Sequence, residues 1–356
     1  MKAHKFNYKW NLKDTVFTKD KGKVFSCFAC GGGSTMGYKL AGFDVIGHND
    51  IDKKMIEVYK ANHNPKFSFL ESITTFAKRK DLPKELYELD ILDGSPPCSS
   101  FSMAGNREKD WGKEKIFREG QELQVLDTLF FDFIDLAKEL QPKVVVAENV
   151  KGLLLGAAKD YVIKIYDAFD KAGYYCQHFL LDASKMGVPQ RRERVFFICL
   201  RKDLAKDFLY WQDMFTEIPE IEIQFNEKEI LFKDVYFNLT DRTLSDRFKD
   251  VWSNKKDGDL DFSCIMDRIE NRPNSYFAYN FIYNNKVPNT IIANDLNVLF
   301  DECRHLNKIE LCNIGTYPQD YNFLKIKPHY LIGMSVPPVM TAQIATEIYN
   351  QWLSKI

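Results

Sequence analysis

The sequence predicts an α/β protein, a doubly wound and mostly parallel sheet joined to a second, smaller domain of strands and loops. Three observations carry this. Short apolar runs alternate with helix-patterned stretches through the first half of the chain. A glycine-dense turn, GGGSTMG, directly follows the first apolar run. Beyond Lys202 the alternation stops, and strand-like pieces sit among charged and Asn-rich loops as far as Lys286.

Each element has its own warrant. Lys23–Phe28 is a short run of β-branched and aromatic residues ending in glycines, and a helical segment follows to Ala41. Phe43–His48 reads as the second strand and Asp52–Ala61 as a helix with Asp52 as its cap. Leu89–Leu92 leads into a long loop, after which Val125, Leu126, Leu129, Phe130, Phe133, Ile134, Ala137 and Leu140 recur at helical spacing within Glu122–Leu140. Val144–Ala147 is wholly apolar, as a buried parallel strand should be. The Ile163–Phe169 region is helical again, and Tyr174–Leu181 and Arg194–Leu200 close the sheet. In the tail, Cys303–Leu311 predicts a helix, and Val336–Leu353 predicts an amphipathic one whose two prolines stand at its start. The expected domains are 1–204 with an arm over 1–22, then 205–286, then a return to the first domain over 287–356.

At 356 residues, 45% hydrophobic and 28% charged, the chain can bury a sizeable core in one large domain or two. The polar opening, MKAHKFNYKWNLKDTVFTKD, lacks the apolar run of a signal peptide, and no apolar stretch is long enough for a bilayer. Eight scattered cysteines then predict buried thiols in a reducing, cytoplasmic setting rather than a disulfide framework. A net charge of −1 excludes a globally cationic protein, yet Lys185 to Lys202 holds six basic residues against Glu193 alone.

The glycine turn fits a nucleoside-bearing cofactor, with Gly31, Gly33 and Gly37 letting the backbone approach a ligand and Asp50 standing just past the second strand to accept ribose hydroxyls. At this level the cofactor is either NAD or S-adenosylmethionine. Cys27 and Cys30 form a C-x-x-C beside the turn, but Cys27 falls within a buried strand, so both read as packing residues.

Three further constellations fall at the carboxyl ends of strands, where open α/β sheets bind ligands. In LDILDGSPPCSSFSMAGNRE, Pro96 and Pro97 fix the backbone before Cys98, a thiol that becomes a strong nucleophile once deprotonated. In VVVAENV, Glu148 follows an apolar strand. It reads either as a carboxyl group whose desolvation favours holding a proton or as an acid at a helix N-terminus. In VPQRRERVFFICLR, Arg192 and Arg194 alternate at a strand start, which predicts a shared face suited to phosphate or a base carbonyl.

The order of these blocks resembles the cytosine-5 DNA methyltransferase family over nearly the whole chain. FACGGGSTMGYKLAGF resembles its cofactor loop, SPPCSSFS its nucleophile loop, AENVKGLL its ENV motif and VPQRRERVFFI its arginine motif. RHLNKIELCNIGTYPQDYNF and IGMSVPPVMTAQIA resemble the two closing blocks. The resemblance implies a Rossmann-like catalytic domain with a smaller recognition domain over 205–286. It also implies methyl transfer from S-adenosylmethionine to C5 of a flipped-out cytosine in a specific sequence of double-stranded DNA. By the same resemblance Cys98 is the nucleophile at C6, Glu148 holds N3 and the amino group, and Arg194 contacts O2 while Arg192 supports the loop. Phe28, Gly31, Gly33, Asp50, Ile51, Ser72, Pro97, Ser335 and Val336 would line the cofactor site. No metal is implied. A monomer is expected, with a cognate restriction endonuclease as a partner of the restriction–modification type and no membrane partner.

Three positions depart from the family pattern. Ser72, beside Glu71, stands where an aspartate commonly meets the adenine amino group. Met334 replaces the asparagine of the last block, and Asn307 with Lys308 replaces Thr-x-Arg. Two rivals stand beside the DNA reading. The tRNA-methylating branch shares the motifs, although the recognition segment has the ordinary length of a DNA enzyme. A nicotinamide-dependent oxidoreductase is disfavoured by Met36 at the third glycine position and leaves SPPC and ENV unexplained. Between Asp241 and Lys286 eight basic residues face eight acidic ones, so phosphate affinity would depend on where charges are placed.

Overall fold

The computed structural model describes residues 4–97, 114–115, 124–125, 128–211, 213, 216–270 and 278–356. They fall into two compact units, one of Val16–Asp182, Glu193–Phe225 and Met340–Ile356, the other of Met1–Thr15, Ala183–Arg192 and Asn226–Val339.

The first of these alternates strand and helix as the sequence predicts: β1 (Lys23–Cys27), α1 (Gly33–Leu40), β2 (Asp44–Asp50), α2 (Lys53–His63), β3 (Phe67–Leu70), α3 (Ile73–Phe76), β4 (Ile91–Gly94), α4 (Leu129–Leu140), β5 (Val144–Val150), α5 (Lys159–Lys171), β6 (Tyr174–Asp182) and β7 (Glu193–Arg201). Among the described residues the largest sheet has seven strands in the order β3-β2-β1-β4-β5-β7-β6. The first five strands of that order are mutually parallel, whereas β7 runs antiparallel to both its neighbours. Connection length explains the reversal. The ten residues between Asp182 and Glu193 are fewer than the dozen or so that a parallel crossover needs.

Local chemistry sets the elements. Asp52 caps α2 by accepting from the amides of Lys54 and Met55. The α4 stripe of Leu129, Phe130, Phe133, Ile134, Leu136, Ala137 and Leu140 is buried, and it shares one core with Phe25, Val145 and Phe197. This helix starts later than the expected Glu122. Val125 instead lies in a two-residue strand opposite Glu114, and the helical period begins to hold at Leu129. A hairpin of β8 (Leu209–Trp211) and β9 (Glu217–Pro219) stays with this unit. Gln177 donates to the Pro219 carbonyl and the Trp352 indole to that of Glu220. These bonds explain why this compact unit holds the chain as far as Phe225, beyond the 204 read from the sequence.

The other unit contains α6 (Phe232–Val235), α7 (Asp246–Ser253), α8 (Phe262–Glu270), β10 (Asn280–Ile282), β11 (Asn297–Leu299), α9 (Lys308–Gly315) and α10 (Pro328–Met334), and α11 (Pro338–Gln351) ends the helix order. Asp246–Ser253 and Phe262–Glu270 are helices where short strands were expected. Phe248, Val251 and Trp252 share one helical face, and they pack on a small core of Leu244, Phe262, Ile265, Phe281 and Val298. The N-terminal arm belongs here because the Trp10 indole donates to the Thr316 carbonyl at 2.9 Å and the Leu12 amide to Asp320 at 2.7 Å.

The α9 helix starts at Lys308, not Cys303. Asn307 caps it in a reciprocal box with Glu310, so the family departure at 307 keeps a capping residue. Glu310 also receives the Arg304 guanidinium at 2.8 and 2.9 Å, with both side chains at most 1% exposed. Glu310→Ala would leave that charge buried with half its support. The expected cost is about 3 kcal/mol, read as a lower urea midpoint at unchanged slope. A shift worth less than about 1 kcal/mol would show that Glu302 suffices.

Candidate active site

Four strand ends of the sheet meet at one edge. From β1 the chain passes through Phe28 and Cys30, both with left-handed backbone (φ 53° and 49°), into Gly32 (φ 83°) and then α1. Gly32 is the glycine the turn demands, since a Cβ there would lie 2.4 Å from His63 Nε2, and Gly31 and Gly33 flank it buried. Phe28 packs against Phe133, with ring centroids 6.3 Å apart. At the end of β2, Asp50 accepts the Cys30 amide at 2.7 Å and the Asp52 amide at 2.8 Å. A carboxylate is thereby fixed against the turn, and half-buried Ile51 follows it. This cradle suits a nucleoside, because close backbone supplies the contact surface and a fixed carboxylate accepts from ribose hydroxyls.

Neither residue at the departure after β3 is aimed at a ligand by its bonds. Ser72 caps α3 by accepting the Thr75 amide at 3.2 Å, and Glu71 pairs with Arg79 at 2.8 Å. The two cysteines of the C-x-x-C are packing groups, as expected. Burial pushes the Cys27 thiol well up, and the Cys30 Sγ sits 3.6 Å from Met55 Sδ.

From β4 the chain runs into Ser95, Pro96 and half-buried Pro97. Cys98 lies outside the described residues. Asn149, the middle residue of ENV, donates its side-chain amide to the Pro96 carbonyl at 3.2 Å, so the proline segment is held from the β5 end. Glu148 sits beside it and is paired with Arg194, whose Nε lies 2.9 Å from Oε1, the two side chains being 13% and 16% exposed. The antiparallel course of β7 makes this possible. Its first residues lie at the edge where the parallel strands end, with Arg194 opposite Val150 and therefore on the Glu148 face. Burial pulls the Arg194 guanidinium down from its usual range, and the neighbouring Glu148 charge opposes that.

Arg192 and Arg194 do not share a face. Alternation holds only within a strand, and β7 begins at Glu193. Arg192 precedes it, 3% exposed, and donates to the carbonyls of Ile291, Gly333 and Ser335 at 3.0, 3.0 and 2.9 Å in its own unit. Its surroundings make it a clamp on backbone, leaving Arg194 beside the carboxylate. Ser335 is buried with its hydroxyl 2.8 Å from the Leu331 carbonyl and 2.7 Å from the Tyr317 hydroxyl, and Val336 beside it is buried too.

Sequence reasoning passed over Asp93. It is a carboxyl group in the otherwise apolar β4, 4% exposed, and it accepts from the hydroxyls of Ser26 and Ser34 at 2.7 Å each and of Tyr38 at 3.2 Å. The signal was present in ILDG, where an acid interrupts a buried strand. Burial pushes Asp93 up from 3.8 to about 6, with repulsion from Glu148 adding to it and the three hydroxyls opposing. Because the folded value is raised, this group's contribution to stability is present below about pH 4 and is lost as pH rises through about 6. Asp93→Asn should remove that dependence. Its stability relative to wild type should improve by about 2 kcal/mol between about pH 4.5 and 7.5, measured by denaturant unfolding. Parallel stability curves would refute it.

Comparison with known proteins bears on the fold and the family. The family model described as C-5 cytosine-specific DNA methylase matches residues 22–350. The type II methyltransferase M.FnuDI of Fusobacterium nucleatum is 34% identical over 74% of this chain and 67% of its own length. M.NgoPII of Neisseria gonorrhoeae is 35% identical over 62% of this chain, a match that spans 58% of that relative. Among solved structures, a putative DNA modification methyltransferase from an E. coli prophage superposes with a TM-score of 0.63 at 20% identity, covering 92% of this chain and 99% of that one. At that identity the likeness establishes the fold. Among the described residues no helix is long and apolar enough to cross a membrane. With a family match that takes in almost the whole chain, the protein belongs to the C-5 cytosine-specific DNA methylase family.

Proposed function

We propose that the protein transfers a methyl group from S-adenosylmethionine to C5 of a cytosine within a specific sequence of duplex DNA. The observation that carries this is the Glu148–Arg194 pair at the sheet edge, beside the strand end that leads through Pro96 and Pro97 to Cys98. S-adenosylmethionine supplies an electrophilic methyl group, and C5 of cytosine is by itself too weak a nucleophile to take it. The Cys98 thiolate adds at C6, while Glu148 holds N3 and the exocyclic amino group and shares its proton with N3. The ring then carries electron density at C5, which would take the methyl group as its bond to the sulfonium sulfur breaks and a neutral thioether leaves. Loss of the C5 hydrogen as a proton expels the thiolate and restores the aromatic ring. Arg194 steadies the base at O2 and holds Glu148 in place. Phe28, Gly31, Gly33, Asp50, Ile51 and Pro97 would hold the donor.

Cys98 cannot reach C6 inside a stacked duplex, so the base is flipped out at a cost of a few kcal/mol, roughly. Segment 205–286, most of which lies in the unit of Asn226–Val339, would read the target. Because relatives are named type II methyltransferases, a cognate restriction endonuclease for the same site is part of the reading. The test supplies labelled S-adenosylmethionine with duplex DNA or with tRNA. Label on C5 of cytosine in DNA alone is the expected result. Label on tRNA alone would assign the protein to the RNA branch, and label on neither would retire the proposal.

A further inference from the structure

We propose that Asp93 is a positioning residue, a buried strut that ties the turn holding the methyl donor to the strand end carrying the nucleophile. The inference rests on the methyl-transfer reading for what the two tied parts do.

The geometry is a three-way tie. Asp93 and Ser26 are paired across adjacent parallel strands, β4 and β1, and the Ser26 hydroxyl donates to Asp93 Oδ2. Ser34 and Tyr38 are four residues apart on α1, so both project from one helix face, and they donate to Oδ2 and Oδ1. α1 begins at Gly33, so its first turn continues directly from Gly31 and Gly32. A helix that is bolted twice to β4 thus fixes the backbone of the donor turn. On its other side Asp93 stands two residues before Ser95 and three before Pro96, whose carbonyl is gripped by Asn149 next to Glu148. Pro96 and Pro97 leave little slack in between. A shift of α1 would therefore reach the segment leading to Cys98.

Packing alone does not account for a carboxylate here. Carboxylates are rarely buried unless they are paired with a cation, and this one instead feels the repelling charge of another carboxylate, Glu148, on the neighbouring strand. Its partners are three neutral hydroxyls, each of which an ionised acceptor holds more tightly than a neutral one would. The arrangement trades stability at neutral pH for rigidity between two loops that must act together.

That trade supplies the test, because a merely structural residue would lose stability and binding in step. Asp93→Asn keeps the shape and replaces a three-hydroxyl acceptor with a group that must donate at one of those positions. The expected result is unfolding at about pH 7.5 no earlier than wild type, with S-adenosylmethionine binding weakened about tenfold by calorimetric titration. At saturating donor, covalent capture of 5-fluorocytosine DNA should also slow about tenfold. Ser34→Ala, which cuts one arm, should weaken donor binding by a smaller factor. Donor binding and capture both within twofold of wild type would overturn the proposal. So would a binding loss that follows the fraction unfolded and vanishes on cooling. The titration needs no DNA. If wild type binds the donor yet methylates no cytosine, the functional reading falls while the Asp93 binding result still stands by itself.

Discussion

Cys98→Ala is expected to lose methyl transfer and covalent capture together while still binding its DNA site. On the proposed mechanism, once the thiolate has added at C6 and C5 has taken the methyl group, the enzyme is released only if the C5 substituent leaves as a proton. Fluorine cannot leave that way. DNA with 5-fluorocytosine at the target should therefore hold wild-type protein in a complex that survives denaturation, and only when S-adenosylmethionine is present. On the proposed mechanism the substituted protein retains Glu148 and Arg194 to receive the base, and contacts to phosphate would not need the thiol. Its rate should fall by at least about ten-thousandfold, since covalent and unassisted routes differ by many kcal/mol. Protein with Cys98→Ala that still methylates, or still forms the resistant complex, would remove the covalent mechanism.

Glu148→Gln should cost at least about a hundredfold in rate with DNA binding retained. The substitution keeps the shape and the acceptor next to Arg194 but removes the group that, on the proposed mechanism, shares a proton with N3. It also withdraws the charge opposite a largely buried guanidinium, so a modest loss of stability should accompany the loss of rate. Single-turnover methylation at saturating DNA, beside a binding isotherm, separates the two effects. An unchanged rate would leave Glu148 as the structural partner of Arg194 alone.

Those two predictions were already available from the sequence, and the reason is geometric. A parallel sheet puts every strand's carboxyl end on one edge, so a motif that follows an apolar run needs no distance information to be placed there. Val144–Ala147 followed by Glu148 is such a case, and so is β4 followed by the proline segment. The helix over α4 and the cap at Asp52 were legible for a related reason, since periodicity and capping are local properties.

The tertiary structure decided what depended on partners distant along the chain. The pairing of Glu148 with Arg194 needs β7 to run antiparallel, which follows from a connection too short to cross over and not from any residue within either motif. Arg192, two positions away, looks equivalent in sequence, yet it is spent on carbonyls of Ile291, Gly333 and Ser335. Asp93 and Ser34 are 59 positions apart, and nothing in ILDG or GGGSTMG announces that they share a proton-mediated contact. The sequence by itself thus determined the order of elements, the sheet edge and the residue types gathered along it. Which buried charge meets which partner was settled only by folding, because burial makes an unpaired polar group costly and the fold alone brings candidates within hydrogen-bond reach.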